Sequence, residues 1–198
     1  MIEKLHDITM IEEILKYDTE LFIFLNNLGS ESWDLLWQII TNKFTFIPLY
    51  AFLLYLVYKN YGGKGTLFVL FCAALMITST DQFSYFCKHY FQRPRPCQEE
   101  SLQEVMRFVV DRCGRYGFFS GHAISSMATA VFMGLLLKSK YYYLPFILLL
   151  WAFFVGYSRI YVGVHYPLDV FVGMLFGGLF GWVFYRLQLI LKRRFVDV

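Results

Sequence analysis

Charge is what this sequence has least of. Only 17% of its 198 residues are charged while 58% are hydrophobic, a balance that excludes both intrinsic disorder and an ordinary water-facing surface. The 18 basic residues barely outnumber the 15 acidic ones, for a net charge of +3, and they cluster between apolar runs. No basic face extends along the chain, so nucleic acid is not an expected partner. Cysteine is sparse as well, and four residues make no disulfide scaffold in a chain of this length. No internal repeat or low-complexity stretch is present. From Met1 to Lys16 acidic and basic residues mix with apolar ones, without the basic segment and apolar block of a cleavable signal peptide. The apolar segments further along are therefore expected to direct insertion.

Aromatic residues are abundant: 22 Phe, 15 Tyr and 4 Trp make up 21% of the chain. A small soluble core has little room for so many rings, whereas lipid-facing helices with amphipathic rings at both interfaces use them. Five apolar stretches, 41–58, 65–87, 123–137, 141–161 and 167–191, are candidates to cross the hydrocarbon as helices, which takes about 20 residues. The third is short unless Gly121 and His122 open its first turn. The expected fold is all-α, a polytopic membrane helix bundle with about five transmembrane helices. Ahead of them, 11–26 and 30–40 carry Glu12, Glu13, Asp18, Glu20, Asp34 and Gln38 among apolar residues, the pattern of amphipathic helices lying in the interface. The chain thus divides into N-terminal interfacial helices, 1–40, and a transmembrane domain, 41–198. Gly62, Gly63 and Gly65, with Lys59 and Lys64, mark a tight turn between the first two spans.

The sizeable extramembrane connection is 88–120, which holds Lys88, Arg93, Arg95, Arg107, Arg112 and Arg115. Cys97 and Cys113 lie in it sixteen positions apart and are placed to bridge if the loop faces an oxidising compartment. Cys72 and Cys87 fall in an apolar run and behave as small hydrophobes. Asp81 sits inside the second span, where its simplest role is a helix-packing contact near the membrane edge.

If the spans alternate, one membrane face gathers Lys88 and Arg95, then Ser120, Gly121 and His122, then Ser158, Arg159, His165 and Asp169. A phosphate carries charge on several oxygens. Cations approaching from different directions, with backbone N–H groups at a helix start, would hold it and stabilise its transition state. Asp169 follows His165 by four residues, with Pro167 suited to the first helical turn, so its carboxylate can fix the imidazole with one nitrogen free to attack phosphorus. His122 opens a helix beside Ser120 and Gly121, where it can protonate a departing oxygen and later activate water. No metal or other cofactor is required, and the two His lie too far apart in sequence to suggest a metal site. Taken singly, each residue has a blander explanation: cations at span ends snorkel to headgroups, and a lone interfacial His is usually a satisfied polar group. His6 and His89 are given no role, and Arg93, Arg107, Arg112 and Arg115 are at most accessory.

Taken together the residues resemble the type-2 phosphatidic acid phosphatase superfamily, which is related to the vanadium haloperoxidases. Lys88 with Arg95 and Pro96 looks like the first motif, Ser120, Gly121 and His122 like the second, and Ser158, Arg159, His165 and Asp169 like the third. The order and internal spacings make this more specific than any short motif. The resemblance implies phosphate binding by Lys88, Arg95 and Arg159 with help from Ser120 and Gly121, attack by His165 held by Asp169, and acid catalysis by His122. One departure stands out: Phe119 occupies the place where the family's second motif usually has Pro, leaving the turn less preset and adding a bulky ring. The resemblance covers about 65–183, and the first 40 residues match nothing in it.

The expected function is an integral membrane phosphatase acting on a lipid phosphate or pyrophosphate, such as undecaprenyl diphosphate, phosphatidylglycerol phosphate, phosphatidate or a lipid A phosphate. Its partners would be that lipid substrate and the bilayer. A vanadate-dependent haloperoxidase is disfavoured by the apolar spans, and a non-catalytic lipid-phosphate binding or transport protein by the paired nucleophile and acid. Positive charges fall nearly evenly on the two sides, so charge does not orient the chain. The family's bacterial members and the Cys97–Cys113 pair both favour a bacterial cytoplasmic membrane with the site facing outward.

Overall fold

A computed structural model of the chain describes the backbone of residues 2–195 and the side chains of residues 10–192; His6, Arg193 and Arg194 therefore lie outside the described side chains. Among the described residues six α-helices follow one another: α1 (Ile2–Asn27), α2 (Glu31–Thr41), α3 (Ile47–Phe91), α4 (Gly121–Leu137), α5 (Leu144–Tyr161) and α6 (Pro167–Phe195). Prolines set three of the starts, because a fixed φ and a missing N–H suit a first helical turn. Pro48 stands in the first turn of α3, Pro145 in that of α5, and Pro167 opens α6. The first span accordingly begins at Ile47 and not at residue 41, since Thr41 ends α2 and a 3₁₀ turn, Lys43–Phe46, intervenes. The turn expected over several glycines is concentrated at Gly62, whose φ of 65° and ψ of −175° interrupt α3 while Gly63 and Gly65 remain helical. Only a residue without Cβ adopts that conformation cheaply.

The two parts of α3 fold back on each other. Leu53 and Val57 before the break share one buried cluster with Val69, Cys72 and Met76 after it, together with Phe132 of α4 and Leu148 of α5. The segment Lys43–Phe91 spans 49 residues, more than twice what one crossing needs, so it is long and apolar enough for two. Leu144–Tyr161 and Pro167–Lys192 are also long and apolar enough to cross, and the shorter α4 runs among them. Large side chains such as Phe71, Leu75, Ile147, Phe153, Leu175 and Leu179 are exposed on the outside of this bundle, where lipid takes the place of a second protein layer.

The contact that most affects the site is between α4 and α6. A Cβ added to Gly173, Gly177 or Gly181 would stand 2.9, 2.5 or 2.6 Å from the carbonyl oxygens of Ser120, Ile124 and Ala128. Matching steps of four on both helices mean that they run parallel and nearly touch through their backbones, as small residues permit in membranes. Their N-termini therefore emerge side by side.

Candidate active site

Lys88 stands on the last turn of α3, which ends as Gln92 takes a left-handed conformation (φ 49°). Its ammonium overhangs the start of α4: a Cβ on Gly121 would lie 3.4 Å from the Lys88 Nζ. The chain then turns through Arg93-Pro94-Arg95-Pro96. Pro94 bridges to Tyr116, the Arg95 amide donates to the Arg115 carbonyl at 3.3 Å, and the Gly117 amide donates to the Arg93 carbonyl at 2.9 Å. The Arg95 guanidinium donates from Nε to the Tyr116 carbonyl at 3.0 Å. Cys97 and Cys113 are bonded to each other across this pairing, with Cα atoms 6.4 Å apart. Burial lowers the affinity of Arg95 for its proton, but an arginine retains its charge.

Ser120 caps α4: its Oγ accepts from the Ala123 amide at 3.5 Å, while its own amide donates to the Asp169 carbonyl of α6 at 3.0 Å. The first turn of a helix directs unpaired N–H groups outward, so Gly121 and His122 open a ready anion site. Phe119 solves by packing what Pro would solve by covalent geometry. Its ring is buried and stacks on Phe176, centroids 5.5 Å apart and planes 21° apart, and its carbonyl accepts from Ser84 Oγ at 3.4 Å. The bulky ring thus points into the bundle core.

Arg159 lies in the last turn of α5, where the amides of Val164 and His165 both donate to its carbonyl, at 3.1 and 3.2 Å, in a turn made at Gly163 (φ 82°). One guanidinium nitrogen donates to Thr41 of the N-terminal segment. Its Nε is buried with no partner among the described residues, a donor left for a ligand. His165 is only 1% exposed, and its Nδ1 sits 3.3 Å from Oδ2 of the fully buried Asp169. That oxygen also accepts from the Tyr166 amide at 3.1 Å, and Oδ1 accepts from Arg93 Nη1 at 3.0 Å. Burial first, then the charges of Arg95, Arg159 and Lys88, holds the proton affinity of His165 well below the usual imidazole range. The imidazole is therefore neutral, the state in which a ring nitrogen can act as a nucleophile.

Lys88, Arg95 and Arg159 are also the charged neighbours of His122, and His165 faces it as well, so the residues singled out in the sequence converge on one place. Ser158 is the exception: its buried Oγ donates to the Val155 carbonyl of its own helix at 2.7 Å. Among the described residues no three His, Cys, Asp or Glu side chains cluster so as to hold a metal ion.

Arg93 is more than an accessory. It is largely buried and pairs with two carboxylates, Asp169 and Asp18, the latter through Nη2 at 2.6 Å. Asp18 belongs to α1, whose residues at steps of four, Asp18, Phe22 and Asn26, are buried against the bundle. Charges on an interfacial helix are expected to face water or headgroups, yet Asp18 is directed inward. The four-residue spacing of Asp18, Phe22 and Asn26 was the available signal. Arg107 serves α2, where its Nη2 reaches both oxygens of Asp34 at 2.8 and 2.9 Å. Gly117 had no signal at all: a Cβ there would be 2.9 Å from Asp169 Oδ2, 3.2 Å from Arg95 Cγ and 3.6 Å from His165 Nδ1.

A cavity of about 800 Å³ leads away from the start of α4 into the bundle. Gly121, His122 and Asp81 mark its polar end, and residues such as Val57, Ala73, Met76 and Phe132 form its apolar walls. Asp81 accepts from Ser125 Oγ at 3.3 Å, a contact between α3 and α4.

Cations gathered at a helix start, beside a buried His–Asp pair and above an apolar cavity, are what a membrane enzyme needs to work on a phosphate carried by a lipid. The chain belongs to the PAP2 superfamily, whose sequence model matches residues 65–193, and within it is a membrane lipid phosphatase. It is 36% identical over 179 residues to the lipid A 4′-phosphatase of Bacteroides thetaiotaomicron, a match covering 89% of this chain and 79% of that one. The crystal structure of Aquifex aeolicus LpxE superposes with a TM-score of 0.66 at 28% identity, covering 85% of this chain and 94% of the other. A transmembrane PAP2-type phosphatidylglycerolphosphate phosphatase from Bacillus subtilis shares the fold, with a TM-score of 0.72 at 18% identity over 91% of this chain and 89% of its own.

Proposed function

We propose that the protein removes the 4′-phosphate of lipid A at the outer face of a bacterial cytoplasmic membrane. The observation that carries the lipid reading is the cavity: its apolar walls end at His122 and Gly121, so a chain lying in it delivers its headgroup to the start of α4. The relationship to the Bacteroides enzyme supports lipid A as the headgroup. The bond between Cys97 and Cys113 supports an oxidising, extracytoplasmic compartment.

The chemistry follows from the placement of each group. Lys88, Arg95 and Arg159 bind the phosphate oxygens, with the Gly121 and His122 amides of the α4 start, and neutralise charge as it moves outward in the transition state. His165 attacks phosphorus through Nε2 while Nδ1–H remains bonded to Asp169, which stabilises the cation that forms. The P–O bond to the sugar breaks in line, and His122 gives its proton to the leaving oxygen. A bound phosphate dianion offsets the three cations, so His122 can carry that proton. Water then attacks the phospho-histidine with His122 as base, the P–N bond breaks, and inorganic phosphate leaves.

The test is phosphate release by the purified protein from lipid A, undecaprenyl diphosphate, phosphatidylglycerol phosphate and phosphatidate in mixed micelles, with His165→Ala as control. Lipid A is expected to be the preferred substrate, and His165→Ala to release nothing. Preference for another lipid overturns the headgroup and leaves the phosphatase standing. Equal release by wild type and His165→Ala overturns the mechanism.

A further inference from the structure

Asp18 is a buried carboxylate on a helix outside the segment that the family model covers. Burying a carboxylate is unfavourable unless its oxygens are matched, and both are. Oδ2 accepts from Arg93 Nη2 at 2.6 Å, and Oδ1 accepts from the Leu168 amide at 2.8 Å. Leu168 is the residue before Asp169 in the first turn of α6. The same side chain therefore holds the helix turn that bears Asp169 and the guanidinium that binds it.

Arg93 is the shared element. One of its terminal nitrogens serves Asp18 and the other serves Asp169 Oδ1, at 3.0 Å, while the plane of the fork lies against Tyr166, 4.0 Å from the ring centroid. A planar guanidinium held at both ends has one orientation. It fixes Asp169 Oδ1, leaving Oδ2 for His165 Nδ1. The helix itself is docked independently, since the buried Asn26 donates to the carbonyls of Ile160 and Tyr161 at 3.1 and 2.8 Å and accepts from the Arg107 amide at 2.6 Å. Losing the charge at position 18 therefore need not release α1.

We infer that Asp18 and Arg93 are positioning residues for the reaction: Asp18, through Arg93, sets the carboxylate of Asp169 that orients His165, so the N-terminal helix is a working part of the active site. This rests on the phosphatase reading above. Asp18→Asn preserves shape and an acceptor for the Leu168 amide but removes the charge that shares Arg93.

The experiment compares the full chain in detergent as wild type, Asp18→Asn, Arg93→Lys, Asp169→Asn and the Asp18→Asn/Asp169→Asn pair, with Glu20→Gln on the exposed face of α1 as control. Phosphate release should show kcat lowered by about tenfold to a hundredfold in Asp18→Asn and Arg93→Lys, with KM within about twofold. Because Asp18 acts through Asp169, the double variant should be no slower than Asp169→Asn alone, whereas an independent structural role would add to it. The ¹⁵N spectrum of the His165 imidazole, assigned by its loss in His165→Gln, should show one Nδ1–H tautomer in wild type and a mixture in Asp18→Asn. Unchanged kcat in folded Asp18→Asn and Arg93→Lys, additive losses in the pair, or an unchanged imidazole spectrum would each overturn the inference. A wild type that releases no phosphate removes the phosphatase reading instead, and the imidazole spectrum still decides the positioning role.

Discussion

The Nδ1 of His165 lies 3.3 Å from Oδ2 of Asp169, and both side chains are buried. Only one tautomer satisfies that contact with the carboxylate ionised: the proton on Nδ1 and the lone pair on Nε2. Asp169→Asn keeps the shape but presents an amide that can favour the opposite tautomer, so kcat should fall by about three to four orders of magnitude with KM changed much less. Steady-state phosphate release by the folded variant measures this. A KM effect with normal kcat would make Asp169 a binding residue and not an orienting one.

Burial of His165 also links stability to pH. Its folded proton affinity is held well below that of the unfolded chain, whose imidazole titrates near about 6.5. Above that pH both states are neutral and the group contributes no slope. Below it the unfolded chain takes up a proton that the folded chain refuses, so stability falls by about 1.4 kcal/mol per pH unit until the folded value is reached. The apparent Tm of wild type should therefore drop more steeply than that of His165→Gln between about pH 6.5 and about pH 5. Parallel curves would mean that the imidazole is already charged in the fold.

The bond between Cys97 and Cys113 closes a loop with a sequence separation of 16, and Arg95 lies just outside it, paired with Arg115 and Tyr116. Cross-linking a loop of this size stabilises by about 3 kcal/mol in the chain-entropy account. Its loss should loosen the bridge between Pro94 and Tyr116 that aims Arg95. Cys97→Ser, or reduction of wild type, is expected to raise KM about tenfold, by weakening one phosphate contact, with a smaller effect on kcat. A purely catalytic loss would show that Arg95 acts only in the transition state.

If the lipid chain lies in the cavity, filling the cavity should discriminate between substrates by their tails alone. Ala73 lines its apolar wall. Ala73→Phe should lower kcat/KM for a long-chain lipid phosphate by at least about tenfold, since each excluded methylene forfeits about 0.8 kcal/mol of transfer from water, while p-nitrophenyl phosphate turns over as before. Equal loss on both substrates would place the chain outside the bundle, in the bilayer.

Much of this architecture was legible because lipid leaves so few choices. Runs of apolar residues had to become helices, and Pro167 marked the start of one, whereas the starts of α3 and α5 beside Pro48 and Pro145 were placed several residues too early by hydropathy. Lys88, Arg95, Ser120, Gly121, His122, Arg159, His165 and Asp169 could be singled out in the sequence because their types suit an oxyanion and their spacings resemble the family's three motifs. Asp18 and Arg93 were not, because a charge in an interfacial helix or a polar loop looks the same in sequence whether it faces water or a buried carboxylate. Their meaning comes from a contact between positions 75 residues apart. Phe119 was legible as a departure but not as a replacement, since the stack with Phe176 depends on where α6 lies.

Gly117 is the residue least visible in sequence and among the most constrained in space. Its neighbours include, beside Arg95, the two groups that must not move: a Cβ there would stand 2.9 Å from Asp169 Oδ2 and 3.6 Å from His165 Nδ1. Asp169 cannot yield without stretching its bonds to Arg93 and the Tyr166 amide, and the Gly117 amide is tied to the Arg93 carbonyl at 2.9 Å. Gly117→Ala should therefore fold, because the crowding is confined to one side of a loop, yet lose about tenfold to a hundredfold in kcat as the His–Asp pair is displaced. The same substitution in the Asp169→Asn background should cost little more, since the alignment it disturbs is already lost. If Gly117→Ala works at the wild-type rate, the loop gives way before the carboxylate does, and the pair is held more firmly by Arg93 than by its packing.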